Sequence, residues 1–432
     1  KLNLVASGDT YIGQFEADKK HGKGTYSLAN GDTYTGSFKN DLFDGQGTFA
    51  RTKNRKYIGQ WKDGIKAGKG TQTFADTSIY AGDWQNNSQN GQGTYTSIEG
   101  WKYVGAWNNG VKSGQGIKSW SDQRKYSGGW QDDKRHGHGT YAKANGSKYV
   151  GHWDEDEKNG KGTKTYADGG KYTGGWAANK KHGQGTYLYA NGHRYSGEWQ
   201  ENKPHGQGTY LNPNEGQYVG QWSEGIKAGD GTYTYANGDK YAGRWKDGLK
   251  HGKGAYAYQD GKRYVGDFKQ GQLHGEGSLT YANGNQYIGQ FTTDQFNGKG
   301  SFTYANGNKY IGDFEQGLFK GKGTYTYANG NQYVGDFSAN RFSGKGRLSY
   351  EDGNQYEGDF KDSLFDGQGT YTYADGNQYI GDWMQGARTG NGTLTQSNGR
   401  KYDGQWKANR QHGEGTAVYE NGDQYVGDWQ SG

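Results

Sequence analysis

The sequence has no cysteine, only two prolines and only one methionine among its 432 residues. Without cysteine the chain has neither a disulfide framework nor thiolate chemistry, and its redox compartment stays open. Hydrophobic residues make up only 29% of the chain, and no apolar run approaches the length of a membrane span or a signal segment. Composition alone is therefore typical of disorder, and length alone of two or three compact domains.

Charge is balanced along the chain. The 51 Lys and Arg residues exceed the 45 Asp and Glu residues by six, and the two signs are interspersed. A nucleic-acid surface needs a concentrated basic face, so we expect no nucleic-acid partner. The densest basic pairs, which we assign to solvated loops, are Lys19-Lys20, Lys134-Arg135 and Lys180-Lys181.

A 23-residue repeat organises the whole chain. Tyrosine recurs every 23 residues from Tyr11 to Tyr425, nineteen times without an insertion or deletion. Residues 310–332, YIGDFEQGLFKGKGTYTYANGNQ, show the unit, which we number from its tyrosine as position 1. Position 3 is always Gly, position 5 is always Trp or Phe, and positions 12 and 14 are Gly in every complete unit. The 23-residue period indicates a repeat array instead of a disordered chain or a few compact domains, because such an array needs only contacts between neighbouring repeats.

Each unit predicts two antiparallel strands. YIGDF and GTYTYA alternate with period two, and Asn329-Gly330 fits the two positive-φ positions of a type I′ turn between units. Gly321 and Gly323 would bracket a longer loop inside the unit, in left-handed or crowded conformations. Four units lack the turn glycine, and we expect altered turns there without loss of the sheet, at Asn54, Thr77, Gln123 and Glu215.

The motifs YxG(D/Q)(W/F), HGxG and TYxxANG at this period resemble the MORN (membrane occupation and recognition nexus) repeat family over essentially the whole chain. The resemblance implies an all-β fold: an elongated, single-layer, twisted antiparallel sheet with one hairpin per 23-residue repeat. We divide the chain into a second-strand half repeat at 1–10, eighteen repeats at 11–424 and a first-strand half repeat at 425–432. Family members mostly serve as interaction scaffolds, and some have been linked to phospholipid binding.

Aromatic residues supply most of the apolar material, with 38 Tyr, 15 Phe and 14 Trp. We expect stability to come from stacked ladders of rings along the sheet. The position-3 glycine would leave room for rings to lie across the backbone. The candidate ladder residues of two adjacent repeats are Tyr310, Phe314, Tyr333 and Phe337.

Positions 5 and 10 vary together. Of seven units with Phe at position 5, six carry an apolar residue at position 10, whereas most Trp units carry Lys or Arg there, as at Lys158 and Arg388. We expect the two side chains to touch, with a second apolar group filling the volume beside Phe and a cation lying on the face of Trp. The six apolar residues are Phe43, Leu273, Phe296, Phe319, Phe342 and Phe365.

Motifs of catalysis and cofactor binding are not found. The histidines of HGxG stand at least one repeat apart, while a metal site needs ligands that converge. The recurrent G-x-G lacks the third glycine and the helix of a dinucleotide site, and no GxxxxGK(S/T), HExxH or GxSxG occurs. We predict a chain that is not an enzyme, with no catalytic residue, metal or cofactor.

The favoured function is a structural or protein-interaction scaffold, with the chain itself, other proteins or both as partners. Two alternatives stay open: binding of phospholipid head groups through the basic loop residues, and carbohydrate binding on exposed aromatic platforms. The resemblance implies a cytoplasmic, cytoskeletal or membrane-associated protein. The lack of cysteine and the non-Met start also fit an extracellular filament, so the compartment is undetermined.

The two incomplete end units are complementary in sequence, and we expect head-to-tail assembly into filaments. An exposed strand edge is a template for pairing, and a contact of this kind does not close on itself. A fragment of a longer array, loop caps and side-by-side dimers are the alternatives. The predicted contact pairs Tyr425, Val426 and Trp429 of one molecule with Leu2, Leu4 and Val5 of the next.

Overall fold

The computed structural model describes residues 8–430, which contain 37 β-strands and no helix. The chain divides into two units. The first contains the residues up to Pro213 together with Trp222–Gly225, and the second contains Asn214–Gln221 together with the residues from Ile226 onward. The strand β19, Gly216–Ser223, is divided between them.

The other strands of both units follow one pattern, a short strand and then a longer one. The first unit contains β1 Thr10–Glu16, β2 Lys19–Ser27, β3 Thr33–Lys39, β4 Leu42–Arg51, β5 Arg55–Lys62, β6 Ile65–Thr73, β7 Ile79–Gln85, β8 Ser88–Thr96, β9 Lys102–Asn108, β10 Val111–Ser119, β11 Lys125–Gln131, β12 Lys134–Ala142, β13 Lys148–Asp154, β14 Glu157–Thr165, β15 Lys171–Ala177, β16 Lys180–Leu188, β17 Arg194–Gln200 and β18 Lys203–Asn212. The second unit contains β20 Ile226–Tyr235, β21 Lys240–Lys246, β22 Leu249–Ala257, β23 Arg263–Lys269, β24 Gln272–Thr280, β25 Gln286–Thr292, β26 Gln295–Thr303, β27 Lys309–Glu315, β28 Leu318–Thr326, β29 Gln332–Ser338, β30 Arg341–Ser349, β31 Gln355–Lys361, β32 Leu364–Thr372, β33 Gln378–Met384, β34 Ala387–Thr395, β35 Lys401–Lys407, β36 Arg410–Val418 and β37 Gln424–Trp429.

Within each unit, every strand pairs antiparallel with the next along the chain. In the hairpin β27–β28, Tyr310 lies opposite Tyr325, and Phe314 lies opposite Phe319. Tyr325 also lies opposite Tyr333 of β29, so identical positions stay in register from repeat to repeat. The prediction of an all-β, antiparallel fold with one hairpin per repeat is confirmed.

The connection inside the hairpin is a tight turn, not the longer loop predicted from the sequence. Glu315 pairs with Leu318, so only Gln316 and Gly317 lie between the strands, at φ 50° and 83°. Two consecutive positive-φ residues are the signature of a type I′ turn. The second strand therefore starts at position 9, and the HGxG segment is part of it.

The glycines at positions 12 and 14 lie within the second strand and not beside a loop, but they do adopt the left-handed or crowded conformations predicted for them. A register shift beside Gly312 makes a β-bulge, where Gly321 adopts a left-handed φ of 67°. Gly323 faces its partner Gly312 instead, in a crowded part of the sheet. The basic pairs assigned to loops also lie in strands, as Lys19-Lys20 does at the start of β2.

The Asn-Gly segment between hairpins forms a three-residue loop, so its assignment as a type I′ turn was wrong. The N–H of Gly330 donates to the carbonyl of Tyr327 (3.0 Å), and the N–H of Tyr327 donates to that of Asn331 (2.8 Å). Gly330 has φ 90°, whereas Asn329 has no positive φ. This is the hairpin loop in which a helical-type turn is followed by one left-handed residue.

Two of the four turns that lack glycine at position 21 form the same three-residue loop. Thr77 and Gln123 adopt φ 66° and 67°, and the Thr77 N–H donates to the Phe74 carbonyl at 3.1 Å, as Gly330 does to Tyr327. Altered turns occur only in the other two units. Lys53 and Asn54 both have positive φ, and β19 begins one residue earlier than usual, after Glu215. The strands are retained at all four sites, as predicted.

Candidate functional site

The two sides of the sheet differ, and we call the side that carries positions 1, 5, 10 and 16 the aromatic face. Tyr310 contacts Phe314 of its own repeat with ring centroids 5.1 Å apart, and Phe337 of the next repeat at 4.8 Å. Tyr333 continues the series with Phe337 at 5.1 Å. The four candidate residues thus form one chain of contacts. Its geometry is edge-to-face, which aromatic quadrupoles favour, and not the stacking predicted from the sequence.

The position-1 tyrosine lies flat over glycine backbone. A Cβ added to Gly323 would lie 2.5 Å from the Tyr310 ring, and one added to Gly312 would lie 2.4 Å from its hydroxyl oxygen. The Tyr310 hydroxyl donates to the carbonyl of Asp313 at 2.9 Å, and the residue has 0% exposure. Burial raises the pKa of the equivalent Tyr126 to about 12. The expectation that glycine makes room for the rings is confirmed.

Position 10 lies beside position 5, as the covariation predicted. Phe319 and Phe314 are cross-strand partners with ring centroids 5.4 Å apart, and Phe319 also stacks on Tyr310 at 3.8 Å and 14°. The same stacking recurs between Tyr333 and Phe342. In these repeats a third ring therefore covers the aromatic ladder.

The position-10 cations lie over rings, but their principal tryptophan belongs to the next repeat. The Arg135 guanidinium is 4.1 Å from the ring of Trp153, and Lys158 Nζ is 5.2 Å from the ring of Trp176. Trp153 is the cross-strand partner of Lys158, yet the cation extends past it. Burial, assisted by Lys164, lowers the pKa of Lys158 to about 8. For Arg135 and Lys158, the prediction that the cation lies on the tryptophan of its own repeat was therefore wrong.

Position 8 links consecutive repeats, which the sequence reasoning did not find. The backbone N–H of Phe319 donates to Asn340 Oδ1 at 2.7 Å, and that of Lys158 donates to Asn179 Oδ1 at 2.9 Å. The signal was present, since position 8 is Asn, Asp or Gly in seventeen of eighteen units and Ser363 in the other. These residue types tolerate the positive φ of a type I′ turn, and Asn or Asp adds a hydrogen bond to the neighbouring hairpin.

The opposite face exposes a row of β-branched side chains at position 2. We call the residues Val265, Ile288, Ile311 and Val334 the apolar stripe, and their exposed fractions are 46%, 52%, 51% and 39%. Ser278, Ser301 and Thr324 lie between them as cross-strand partners. Contiguous exposed apolar surface of this kind is typical of interaction sites.

An ion-pair row borders the stripe on the same face. Lys299 Nζ lies 2.8 Å from Asp313 Oδ1, and Lys322 Nζ lies 2.7 Å from Asp336 Oδ1. Between the two rows runs a groove whose floor is glycine backbone, lined by residues such as Val334, Gly335 and Lys345. The corresponding positions line a groove in the first unit as well, so the groove is a property of the repeat.

Comparison with known families identifies the repeat. The MORN repeat profile matches eighteen stretches, at residues 11–33, 34–53, 57–79, 80–102, 103–123, 126–148, 149–171, 172–194, 195–217, 218–240, 241–263, 264–286, 287–309, 310–332, 333–355, 356–378, 379–399 and 402–424. The chain belongs to the MORN repeat family. A comparison with curated protein sequences gives no match.

Two solved domains show distant similarity to this MORN chain. The TCP domain of Drosophila melanogaster SAS-4, in complex with a proline-rich motif of Ana2, is 15% identical over 36% of this chain and 85% of that one, with a TM-score of 0.24. The TCP10 domain of Danio rerio CPAP is 11% identical over 55% of this chain and 91% of that one, with a TM-score of 0.16. TM-scores this low do not indicate a shared fold.

Among residues 8–430, no three His, Asp or Glu side chains are grouped so that they could hold a metal ion. The HGxG histidines lie on different MORN repeats and do not converge. In the same part of the chain, no helix is long and apolar enough to cross a membrane.

The residues predicted to join chain ends are only partly described. Tyr425, Val426 and Trp429 lie in β37, where Val426 is 74% exposed. Trp429 contacts Tyr402 of the preceding MORN repeat at 5.2 Å. The other half of the predicted contact, Leu2, Leu4 and Val5, lies outside the described residues, so end-to-end pairing stays a prediction.

Proposed function

We propose that this MORN chain is a non-enzymatic scaffold that binds a partner protein along the apolar stripe. The observation that carries the proposal is the exposure of Val or Ile at position 2 in four consecutive repeats. β-branched side chains held in strands lose little rotamer freedom on binding, so they form a pre-organised surface. Sheets place every second strand about 9.6 Å apart, so a partner segment with apolar side chains at that interval fits the stripe.

Charge supports an apolar partner segment. The lysines that border the stripe are neutralised by aspartates of the next repeat, as in Lys322–Asp336. A lipid head group would need unpaired cations on one side of the sheet. The candidate ladder rings cover one another and are at most 3% exposed, which leaves no free ring face for a sugar at Tyr310, Phe314, Tyr333 and Phe337. Both observations favour a protein partner over the two alternatives.

Affinity purification from the source organism with matched variants tests the proposal. The stripe variant carries Ile288→Lys and Ile311→Lys. The control variant carries Leu318→Lys and Leu364→Lys, which replace apolar residues of slightly lower exposure, 42% and 47%, beside hairpin turns. A partner that is lost with the stripe variant, is retained with the control and binds the purified wild type directly supports the proposal. Equal retention by both variants would refute it.

A further inference from the structure

The repeat at residues 57–79 has no aromatic ring at position 16, although both neighbouring repeats carry one. Phe49 and Tyr95 occupy this position in the flanking repeats, whereas residues 57–79 carry Gln72 there. Gln72 is 9% exposed, and its Nε2 donates to the carbonyls of Thr73 (2.6 Å) and Lys56 (3.2 Å). The amide thus turns back toward its own strand and the neighbouring one, and it does not fill the space that a ring fills elsewhere.

A cavity of about 520 Å³ lies at this point of the aromatic face. Its ring walls are Phe49, Tyr57, Trp61, Phe74 and Tyr95. The volume lies within the range of about 300–1,000 Å³ that is typical of small-molecule sites. The pocket thus lies where this repeat has no position-16 ring, while the ladder of Tyr57, Trp61 and Trp84 continues beside it.

The polar side of the cavity carries an unbalanced cation. Lys66 Nζ donates to Gln72 Oε1 at 2.5 Å and lies 4.8 Å from the Tyr57 ring and 4.7 Å from the Trp84 ring. Among residues 8–430, no carboxylate oxygen lies within 4.0 Å of Lys66 Nζ, which has neutral groups as its contacts.

The other charged groups of the cavity are already engaged or add positive charge. Arg51 Nε pairs with Asp32 Oδ2 at 3.1 Å, and the Asp76 carboxylate accepts from the N–H and hydroxyl of Ser78, both at 3.0 Å. Burial, assisted by Arg51, lowers the pKa of Lys66 to about 8. A half-buried ammonium without a counter-charge is costly, and a bound monoanion would lower that cost.

We propose that this cavity binds a carboxylate joined to an aromatic ring by a short alkyl chain. The ring takes the place of the missing position-16 side chain, between Phe49 and Tyr95, and the carboxylate accepts from Lys66 Nζ. Among the cations that line the cavity, Lys66 is the half-buried one without a carboxylate partner, and the single charge of a carboxylate matches it. The ligand is either a free arylalkyl carboxylate or the C-terminal phenylalanine of a partner chain.

Calorimetry with defined probes tests the site. The probes are 3-phenylpropionate and the peptide Gly-Ser-Gly-Phe, the latter with a free or an amidated C-terminus. Lys66→Met keeps the stem and removes the charge, so we expect affinity to fall at least about tenfold, the size of a hydrogen bond to a charged group. Gln72→Tyr introduces a ring at position 16 and should abolish ligand binding without loss of stability. Another repeat combines Lys at position 10 with Tyr at position 16, since Lys227 Nζ lies 4.6 Å from the Tyr233 ring.

The matched control is Lys227→Met, which removes a position-10 lysine from a repeat that has its position-16 ring. Binding should be unchanged in this variant. Saturable binding of phenylpropionate alone would identify a small-molecule site, and binding of the free-terminus peptide as well would identify a chain-terminus site. Undetectable binding of both acids at millimolar concentration would overturn the proposal. Equal binding of the amidated peptide, or unchanged binding to Gln72→Tyr, would also overturn it.

Discussion

Replacing Phe319 with lysine tests whether position 10 belongs to the core of its repeat. Phe319 is 7% exposed and stacks on Tyr310, with Phe314 beside it. Lysine occupies the same position in many Trp-containing repeats, so the substitution is compatible with the backbone. The repeat of Phe319 has Phe314 where those repeats have the larger Trp. The substitution therefore removes the ring that fills this volume.

The expected loss follows from burial. Truncation of a buried phenylalanine to alanine typically costs about 3–5 kcal/mol. A lysine stem retains part of the packing, and a cation over a ring returns about 0.5–1 kcal/mol. We therefore expect Phe319→Lys to lower the free energy of local unfolding by about 2 kcal/mol. For amides that exchange through local opening, this corresponds to about a thirtyfold faster hydrogen exchange.

Hydrogen exchange resolved by peptide is the appropriate assay, because repeat arrays lose structure locally as well as globally. The faster exchange should be confined to β27, β28 and the adjoining hairpins. Lys158→Ala is the matched control at the same position of a Trp repeat. It removes a contact with Trp176 and also the cost of burying a charge, so its effect should stay below about threefold.

Equal effects of the two substitutions would refute the packing rule. The same conclusion would follow if Phe319→Lys changed exchange by less than about threefold, because the ring would then contribute no more than an exposed side chain. Acceleration spread evenly over all hairpins would instead contradict the local character of the contact.

Three further predictions follow from particular residues. Thr77→Gly should raise the melting temperature measured by circular dichroism, because it relieves about 1 kcal/mol of strain in a β-branched residue at φ 66°, and a lower value would contradict this. Stability to denaturant should rise from pH 8 to about 10, because burial lowers the pKa of Lys158 to about 8 and the unfolded state therefore binds more protons than the folded state in this range. Above pH 10 stability should fall, because burial raises the pKa of Tyr126 to about 12 and the unfolded state then loses its proton first. Lys158→Met should make the rise in stability between pH 8 and 10 less steep, and an unchanged slope would contradict the assignment of that rise to Lys158. Light scattering across a concentration series should show association that Val426→Pro abolishes, since proline cannot donate a ladder hydrogen bond; a wild type that stays monomeric excludes end-to-end assembly.

The repeat and its two strands could be predicted from the sequence, but the two connections were interchanged. The Asn329-Gly330 pair has the composition of a type I′ turn, yet cross-strand pairing uses Gln316 and Gly317 for that turn. Composition at one site could not reveal that Gly321 takes up the register shift of a bulge within the strand. Only the pairing of Phe314 with Phe319 fixes the turn between them.

The candidate surfaces were less predictable. The covariation of positions 5 and 10 correctly placed Phe319 against Phe314, because volume complementarity acts between direct cross-strand partners. It could not show that Lys158 reaches the tryptophan of the next repeat, because the path of a long side chain depends on neighbours on both sides. The missing ring at Gln72 is visible in the sequence, but the cavity also depends on the direction of the Gln72 amide, which only the structure shows.

The edge-to-face contacts also constrain how the gene can change. Tyr310 contacts Phe337 of the next repeat at 4.8 Å, and Tyr333 contacts Phe360 at nearly the same distance, 4.9 Å. Duplication or loss of a whole repeat therefore rejoins surfaces that already fit each other. Insertion of a single residue into a strand would instead move every following side chain of that strand to the other face. The length of such a protein can thus evolve in steps of whole repeats, while changes of one or two residues are restricted to the turns.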